Sequence, residues 1–432
     1  MFRPLITLIG VLFFSFSVNA QVNIAGGIYN DAIFYKSFSP YVISGDAFIM
    51  PGVNVLVEPG AVVKFKRGAK LIVRGNLRAI GTKTDSILFT ADTSAPYVGY
   101  YQGIQVEVNG GVSFGQKTTQ IQMEYCIGEY ASEFIKFKSA YNGPYIFRHS
   151  RFANNRYVCK EIAQSAHEVY YDNCLFHNNY SCVTGGGESH KVYITNCWFL
   201  NNAYGSSGGH VSNCVYKGNT VEGAYLYQEI ENSYFFENKI GARLDMHHDT
   251  RFVNNEVFNN EIGIEIDRMG IASHIVLTNN RICQNTSFNV KYDHTNNIDL
   301  SGNCWCSNDQ SFISGKIFDG YDNPVLGLIK FDSHLNCGIR LPPPMSIPTT
   351  VDRENTFTMH PNPATGYTAI EPQTGVYKYD VIVNDVQGRI VLSLVGQVGK
   401  TVINTRPLTP GMYIVQVRNG DKVLPIRKLV VR

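Results

Sequence analysis

Asparagines and large apolar residues alternate in a phrase that recurs through the middle of the chain. The phrase is Asn, two residues, a large apolar residue, two residues, Asn, and successive copies begin 17 to 25 residues apart. One turn of a parallel β-helix needs about this length, because it holds three short strands and three corners, and its turns stack at about 4.8 Å. The repeat therefore predicts a solenoid. Clear copies lie at 173–179, 196–202, 213–219, 232–238, 254–260 and 279–285, and weaker copies lie at 149–155 and 303–309.

Side chains within each copy follow the two-residue period of a strand. The large apolar residue and the small residue two places before it face inward, and the residue between them faces outward. Because asparagine tolerates a left-handed backbone and its amide can bond to copies above and below, the repeat predicts an internal asparagine column at each end of the strand. The small inward residues are Cys174, Cys197, Cys214, Ser233, Asn255, Asn280 and Cys304; the outward residues are Leu175, Trp198, Val215, Tyr234, Glu256, Arg281 and Trp305.

The chain before residue 150 consists of short alternating runs separated by glycines, which predict strands with tight corners. The stretch VKFKRGAKLIVRGNLRAIG is followed by Ile-Leu-Phe-Thr at 87–90. These segments and the asparagine-rich repeats resemble the secreted right-handed parallel β-helix proteins of the pectate-lyase-like superfamily over about residues 38–335. The resemblance implies the fold. It does not imply one activity, because the superfamily includes lyases, glycoside hydrolases, epimerases and adhesins.

The last part of the chain has a different composition. Residues 338–350 hold four prolines and no carboxylate, which indicates a stiff linker. Residues 351–432 alternate as strands with hairpin signals and predict a small β-sandwich. Four blocks resemble the C-terminal sorting domain of type IX secretion substrates: PNPA at 361–364, VQGR at 386–389, LTPGMY at 408–413 and KLVVR at 428–432. The resemblance implies an export address, often removed at the outer membrane.

The beginning of the chain has the pattern of a signal peptide. Arg3 precedes a short apolar run, and Val18-Asn19-Ala20 ends in small residues as a cleavage site does. We expect export through the periplasm of a Gram-negative bacterium and a product that is secreted or attached to the outer surface. No further transmembrane segment is expected after cleavage. The type IX machinery is the expected partner of residues 351–432.

These observations predict an all-β protein: a right-handed single-stranded parallel β-helix followed by a small β-sandwich. The expected domains are a signal peptide at 1–20, a β-helix passenger at 21–337, a linker at 338–350 and the sorting domain at 351–432. Residues 351–432 carry 10 Lys/Arg and 6 Asp/Glu, so the passenger between signal and tail is slightly acidic. A slightly acidic passenger argues against nucleic-acid binding.

The ten cysteines do not have the spacing of a small disulfide scaffold. Cys174, Cys197 and Cys214 are expected to form a reduced inward column, because stacked in-register residues rarely reach the dihedral angle of a disulfide. Near the last coil, a bridge from Cys337 to Cys304 or Cys306 is an open alternative to free thiols.

Carboxylates recur at one place in three coils. Asp245 and Asp267 lie thirteen residues after a repeat asparagine and Asp293 lies fourteen after, and Arg243, Glu265 and Lys291 stand two places before them. In register, these residues form a charged face that suits acid–base catalysis or calcium. The alternative is a solvated strand end with ion pairs. No metal ligand set is assigned, and calcium is the one cofactor considered.

Two aromatic residues and two glycine-rich corners suggest contact with a ligand. Outward Trp198 and Tyr234 form an apolar strip that suits sugar rings, unless a loop covers it. Residues 184–187 and 206–209 fall at matching places in adjacent coils and predict a shallow groove or a wide turn. His247 and His248 adjoin the charged face as a candidate base or an ordinary loop pair.

The expected function is binding of a glycan or another surface molecule by an exported solenoid. An alternative is a polysaccharide lyase or glycoside hydrolase that uses Asp245, Asp267, Asp293, Arg243 and Lys291. A second alternative is a structural adhesin without catalysis. Whether the protein is an enzyme stays open at the level of the sequence.

Overall fold

Each successive coil of the chain contributes one short strand to each of three parallel sheets. The structure is a computed structural model. It describes residues 21–107, 120–139, 144–161, 168–184, 191–226, 228–246, 250–269, 275–332, 338, 342, 357–372, 378–385, 389–419, 422–423 and 427–432. The predicted signal peptide and most of the predicted linker lie outside these ranges. The chain divides into two units, Met1–Asp92 with Tyr97–Ser346, and Thr93–Pro96 with Ile347–Arg432.

Sheet 1 of the solenoid has eleven parallel strands, each paired with the strand one coil away. Its strands are Ala32–Phe34, Asn54–Val57, Asn76–Ile80, Gln120–Glu124, Tyr145–Arg148, Glu168–Asp172, Lys191–Thr195, His210–Ser212, Glu229–Glu231, Thr250–Val253 and Ile275–Thr278. The number of strands corresponds to a solenoid of about eleven turns.

Sheets 2 and 3 share their first two strands, Val22–Ile28 and Tyr41–Ile49, which bend from one sheet into the other. Sheet 2 continues with Val62–Phe65, Ile87–Ala91, Cys126–Glu129, Arg151–Ala153, Leu175–His177, Trp198–Leu200, Val215–Lys217, Tyr234–Phe236, Glu256–Phe258 and Arg281–Cys283. Sheet 3 continues with Lys70–Val73, Gly103–Glu107, Glu133–Ser139, Tyr157–Glu161, Ser181–Thr184, Tyr204–Ser207, Glu222–Leu226, Ile240–Met246, Ile262–Met269, Phe288–Tyr292 and Ile317–Phe318.

The remaining described elements are short or belong to the second unit. The first unit adds a 3-10 turn at Lys36–Phe38, the helix Gln310–Ser314 and a parallel pair formed by Ile298–Asp299 and Ile329–Lys330. The second unit has a three-stranded antiparallel sheet of Phe357–His360, Tyr367–Pro372 and Thr401–Asn404. Its five-stranded sheet, called the tail sheet below, contains Tyr379–Asn384, Ile390–Gln397, Gly411–Asn419, Lys422–Val423 and Arg427–Val431.

The predicted all-β class, with a parallel β-helix followed by small antiparallel sheets, is confirmed. Within the described residues, no helix is long and apolar enough to span a membrane.

The solenoid core is built from the large apolar residue of each repeat. Phe176, Phe199, Tyr216 and Phe235 are fully buried, and their rings stack with centroids 4.6 Å apart and nearly parallel planes. The stack follows from the in-register coils, because equivalent residues meet at the strand spacing. The inward position predicted for these residues is confirmed.

A column of buried asparagines joins the coils at the corner between sheets 2 and 3. It consists of Asn155, Asn179, Asn202, Asn219, Asn238, Asn260 and Asn285, and is called the corner asparagine column below. The backbone N–H of Asn202 donates to Oδ1 of Asn219 at 3.0 Å, and that of Asn219 donates to Oδ1 of Asn238 at 2.9 Å. The Asn219 amide also donates to the carbonyl of Phe199 at 3.1 Å. Each amide thereby satisfies backbone groups that the corner leaves without a sheet partner.

The asparagines at the other end of the strand behave differently from the prediction. Asn173, Asn196 and Asn213 have φ of 53–54° and are half-buried or exposed, so they turn the corner instead of forming an internal column. The internal place belongs to the next residue. Asn255, for example, accepts the backbone N–H of Ser233 and donates its own N–H to Oδ1 of Asn280, both at 2.9 Å. Asparagine takes the turn because it tolerates a left-handed backbone.

Some residues predicted to face solvent are buried. Leu175, Trp198 and Tyr234 are half-buried, as an outward position allows. Val215, Glu256, Arg281 and Trp305, however, are each less than a tenth exposed. The Arg281 guanidinium lies 3.4 Å from the Glu256 carboxylate and so neutralises it. Strand periodicity gives the direction of a side chain, but not what packs against it.

The cysteines divide into buried thiols and disulfides. Cys174, Cys197 and Cys214 are buried thiols, as predicted, and Cys126, Cys159 and Cys182 are buried as well. Cys306, however, is bonded to Cys283 one coil away, and Cys304 is also disulfide-bonded. The sequence analysis did not consider Cys283, and Cys337 lies outside the described residues.

We predict that Asn219→Gly destabilises the protein by about 2 kcal/mol more than Asn213→Gly, because it leaves buried backbone groups without partners. Asn213 is the matched control. It lies in the same coil, is exposed and has φ of 54°, a conformation that glycine adopts freely. Denaturant unfolding of the two variants measures the difference. Equal losses of stability would show that the corner asparagine column does not stabilise the coils.

Candidate functional site

The outer face of sheet 3 carries two columns of side chains that run along the solenoid. The first column, at the start of each strand, contains Tyr157, Ser181, Tyr204, Glu222, Ile240, Ile262 and Phe288. The second contains Lys136, Lys160, Thr184, Ser207, Tyr225, Arg243, Glu265 and Lys291. Residues in each column are neighbours because the coils are in register.

A pocket opens where the second column has its smallest side chains. Thr184 and Ser207 lie between Lys160 on one side and Tyr225 on the other, and Gly205 forms part of the floor. The cavity is about 270 Å³ and is called the sheet 3 pocket below; its lining is Ser181, Val183, Thr184, Tyr204, Gly205, Ser206, Ser207, Glu222 and Tyr225. The groove predicted from residues 184–187 and 206–209 coincides with this pocket at Thr184, Ser206 and Ser207; residues 185–187 lie outside the described ranges.

Glycine at position 205 is required by the close approach of the next coil. A Cβ on Gly205 would lie 2.0 Å from the carbonyl oxygen of Gly223. A larger residue would therefore push the two coils apart at the pocket floor.

Tyrosines line one side of the pocket. The ring of Tyr204 contacts that of Tyr180 edge-on with centroids 5.4 Å apart, and Tyr180 contacts Tyr157 in the same way at 5.8 Å. Tyr180 is 50% exposed. Tyr225 donates its hydroxyl to Oδ2 of Asp245 at 2.6 Å, which fixes the ring beside the pocket. The rings form an apolar wall. The hydroxyls of Ser181, Thr184 and Ser207 lie next to it and can form hydrogen bonds.

A charged cluster adjoins the pocket on the side of Tyr225. Arg243 lies 2.9 Å from Glu265, 3.1 Å from Glu222 and 3.7 Å from Asp267. Lys291 donates to Glu265 at 2.7 Å. One guanidinium thus meets three carboxylates, and one of them, Glu222, also lines the pocket.

Glu222 is the carboxyl group in the lining of the pocket. Burial raises its pKa, and the negative charges of Asp267 and Glu265 act in the same direction, whereas Arg243 lowers the pKa. A carboxyl group that holds its proton to a higher pH can donate a hydrogen bond to a ligand oxygen.

The three predicted aspartates do not form one in-register column. Leu244 pairs with Ile266, but Asp245 pairs with Arg268, so Asp267 is an extra residue at a register shift. Asp293 follows Tyr292, the partner of Ile266, and therefore stays level with Asp267. The bulge separates Asp245, which accepts the Tyr225 hydroxyl, from the other two. Of the predicted residues, Arg243, Asp267 and Lys291 belong to the charged cluster, and Asp293 is exposed.

The described residues contain no group of three or more His, Cys, Asp or Glu side chains that could hold a metal ion. His247 and His248 lie outside those residues. The carboxylates that meet at Arg243 form ion pairs with Arg243 and Lys291.

Trp198 and Tyr234 lie on sheet 2, not on the face of the pocket. Both are half-buried, and the fully buried Val215 stands between them in the sheet register. The structure therefore separates the predicted aromatic strip from the predicted charged residues by placing them on different sheets.

Offsets from the repeat asparagines do not reveal Glu222, Tyr204 and Tyr225 as site residues. The copies around these residues begin only 17 and 19 residues apart. The shortening moves equivalent residues to different offsets. When the coils are aligned on the first residue of each sheet 3 strand, Glu222 is level with Tyr204 and Ile240. It is the carboxylate in a column of otherwise uncharged residues.

Comparison with known proteins gives one family match. Residues 358–432 match Por_Secre_tail, the secretion system C-terminal sorting domain, which confirms the domain inferred from the four sequence blocks. A stretch of 63 residues is 34% identical to Protein bark beetle of Drosophila melanogaster, and the chain spans 2% of that protein's length.

Several solved structures are similar to the chain at low identity. The A-module of mannuronan C-5 epimerase AlgE6 of Azotobacter vinelandii is 12% identical, with 68% of this chain and 85% of that chain covered and a TM-score of 0.28. The AlgE4 A-module from the same organism is 14% identical, with 74% and 88% covered and a TM-score of 0.28. Tailspike protein gp49 of Acinetobacter baumannii bacteriophage Fri1 is 8% identical, with 96% and 80% covered and a TM-score of 0.22. The parallel β-helix fold follows from the strand pairing described above.

We predict that Glu222→Gln changes the pH dependence of stability. Because the raised pKa means that the native state keeps this proton to a higher pH than the unfolded chain, ionisation of Glu222 lowers stability as pH rises between the two pKa values. The glutamine variant cannot ionise there. Its melting temperature minus that of the wild type should therefore increase from about pH 4 to about pH 8.

The control for this measurement is Glu237→Gln, since the Glu237 side chain is 55% exposed. A difference between Glu222→Gln and wild type that stays constant or falls with pH would contradict the raised pKa.

Proposed function

We propose that this secreted β-helix protein, which carries a type IX secretion sorting domain at residues 358–432, binds a polysaccharide chain in the sheet 3 pocket. The sorting domain indicates secretion or attachment to the cell surface. We further propose that residues 1–20 direct the chain into the periplasm of a Gram-negative bacterium and that the type IX machinery exports it from there.

The observation that carries the proposal is the lining of the pocket. The lining combines the hydroxyls of Ser181, Thr184 and Ser207 with the rings of Tyr204 and Tyr225. Sugar rings offer both apolar faces and many hydroxyls, so they match a wall of aromatic rings beside hydrogen-bonding groups.

The size and position of the pocket favour a polymer over a small ligand. Its volume of about 270 Å³ lies just below the usual range for small-molecule pockets, about 300–1,000 Å³, so it suits one unit of a longer chain. Along the column it is flanked by Lys160 and Tyr225, and Arg243 lies one coil beyond Tyr225. A chain lying along the solenoid axis meets a new coil about every 4.8 Å.

Catalysis on the bound polysaccharide is the second candidate function. The observation that favours it is the raised pKa of Glu222, because a general acid must hold its proton near the working pH. Asp267 and the Tyr225–Asp245 pair are the neighbouring groups. Release of reducing ends would indicate a hydrolase, and a rise in ultraviolet absorbance on an acidic polysaccharide, with and without calcium, would indicate a lyase. Binding without either signal would support a binding protein.

We predict that Tyr204→Ala and Ser207→Trp weaken polysaccharide binding by at least about tenfold, the first by removing an apolar wall and the second by filling the pocket. The measurement is a titration of the purified protein against a polysaccharide panel. Tyr321→Ala is the control, because Tyr321 is 79% exposed and does not line the pocket. Unchanged affinity of both pocket variants would refute the site, and no binding to any polysaccharide would favour the structural adhesin.

We predict that deletion of residues 358–432 leaves the passenger folded but retained in the periplasm, because the export address forms a separate unit. Immunoblots of medium, surface and periplasmic fractions measure the location. Normal delivery of the truncated chain would contradict the assignment of the export signal to this domain.

A further inference from the structure

The outer face of the tail sheet carries several exposed apolar residues. The inner face contributes Tyr379, Val381, Val383, Val415 and Val417 to the core of the second unit. By strand alternation and register, the opposite face, called the tail outer face below, carries the apolar Ile382, Ile390, Val395, Met412, Ile414 and Val430 and the polar Asp380, Asn384, Ser393, Gln416 and Arg418. An antiparallel sheet with one face in water normally places polar residues on that face. The apolar residues of the tail outer face are therefore suited to being covered by a partner.

The residues of the tail outer face are neighbours across four strands. Asn384 pairs with Ile390 on one side and with Ile414 on the other, and Met412 pairs with Val430. Ile382 lies between Ser393 and Gln416 in the same way. The apolar side chains of the tail outer face, called the patch below, are interspersed with Asn384, Ser393 and Gln416, and the pair of Asp380 and Arg418 lies at one end.

The patch is exposed at the edge of the sheet. Val395 is 74% exposed, Ile390 is 64% exposed and Met412 is 47% exposed. Within the described residues, strand Ile390–Gln397 pairs with Tyr379–Asn384 alone, so the backbone groups of its other edge face outward. A long apolar edge strand invites pairing with another chain.

We propose that the tail outer face and the free edge of Ile390–Gln397 form the surface by which a protein of the type IX machinery binds the sorting domain. Two observations support this occupant. The domain is a secretion address, so a component of the export system must bind it. The patch joins a large apolar area to a free strand edge, which together allow a partner strand to add to the sheet.

Charge indicates a further property of the partner. Residues 351–432 carry 10 Lys/Arg against 6 Asp/Glu. Arg418 is exposed and pairs in register with Asp380 on the outer side of the tail sheet. The partner surface is therefore expected to be apolar, to offer an open strand edge and to tolerate a net positive domain.

The test is export of full-length variants in a host with a type IX system. Val395→Lys and Met412→Lys place a charge on the tail outer face on two different strands. Each should lower the fraction of protein found outside the cell by at least about tenfold, as expected for a charge in an apolar contact. Val402→Lys is the matched control, since Val402 is 61% exposed but belongs to the three-stranded sheet. Its export should equal that of the wild type.

Folding and self-association are checked separately on the purified full-length chains. Melting curves that match those of the wild type show that a variant folds, and Val395→Thr, which keeps the branched shape, replaces Val395→Lys if the lysine variant unfolds. Wild-type export of both outer-face variants would overturn the proposal, and so would an equal export defect in Val402→Lys. A wild-type dimer that Val395→Lys dissociates without loss of export would assign the patch to a second copy instead.

Discussion

The hydrogen bond between a side-chain amide and the backbone of the next coil is the interaction on which the solenoid depends. A coil that turns between sheets leaves N–H and C=O groups that no strand can satisfy. The corner asparagine column supplies both partners from Asn155 to Asn285, with Asn202, Asn219 and Asn238 as its central members. Because each amide bonds to the coils on either side, the column fixes the register of the sheets, and equivalent side chains then stack one above another.

The pocket on sheet 3 is a consequence of that register. When successive coils repeat the same backbone, the side chains along a column determine where the surface has ridges and depressions. Thr184 and Ser207 between Lys160 and Tyr225 create a depression, and Gly205 lets the floor come close to the next coil. A pocket in such a fold does not need a long loop. It forms where one coil has a side chain of different size or charge from those at the equivalent position of neighbouring coils.

The sequence was sufficient for the architecture because the repeat encodes it directly. The phrase predicted the coils, the inward position of Phe176, Phe199 and Tyr216, and the buried thiols of Cys174, Cys197 and Cys214. The candidate site was harder to predict because it depends on single-residue shifts. The shift at Asp245 moved that residue out of line with Asp267, and the short coils around Glu222 concealed its position. Burial of Val215 and Glu256 depends on packing that strand alternation does not specify.

Burial of the six thiols makes their resistance to oxidation depend on folding. Burial raises the pKa of Cys126, Cys174, Cys182 and Cys197 well above the usual range, so the folded chain holds almost no thiolate at these positions. In an unfolded chain the same groups titrate near about pH 8.5 and react with oxidants, which are abundant outside the cytoplasm. The unfolded chain is thus the vulnerable species and the folded one is inert. Folding therefore ends the exposure of these thiols to oxidants.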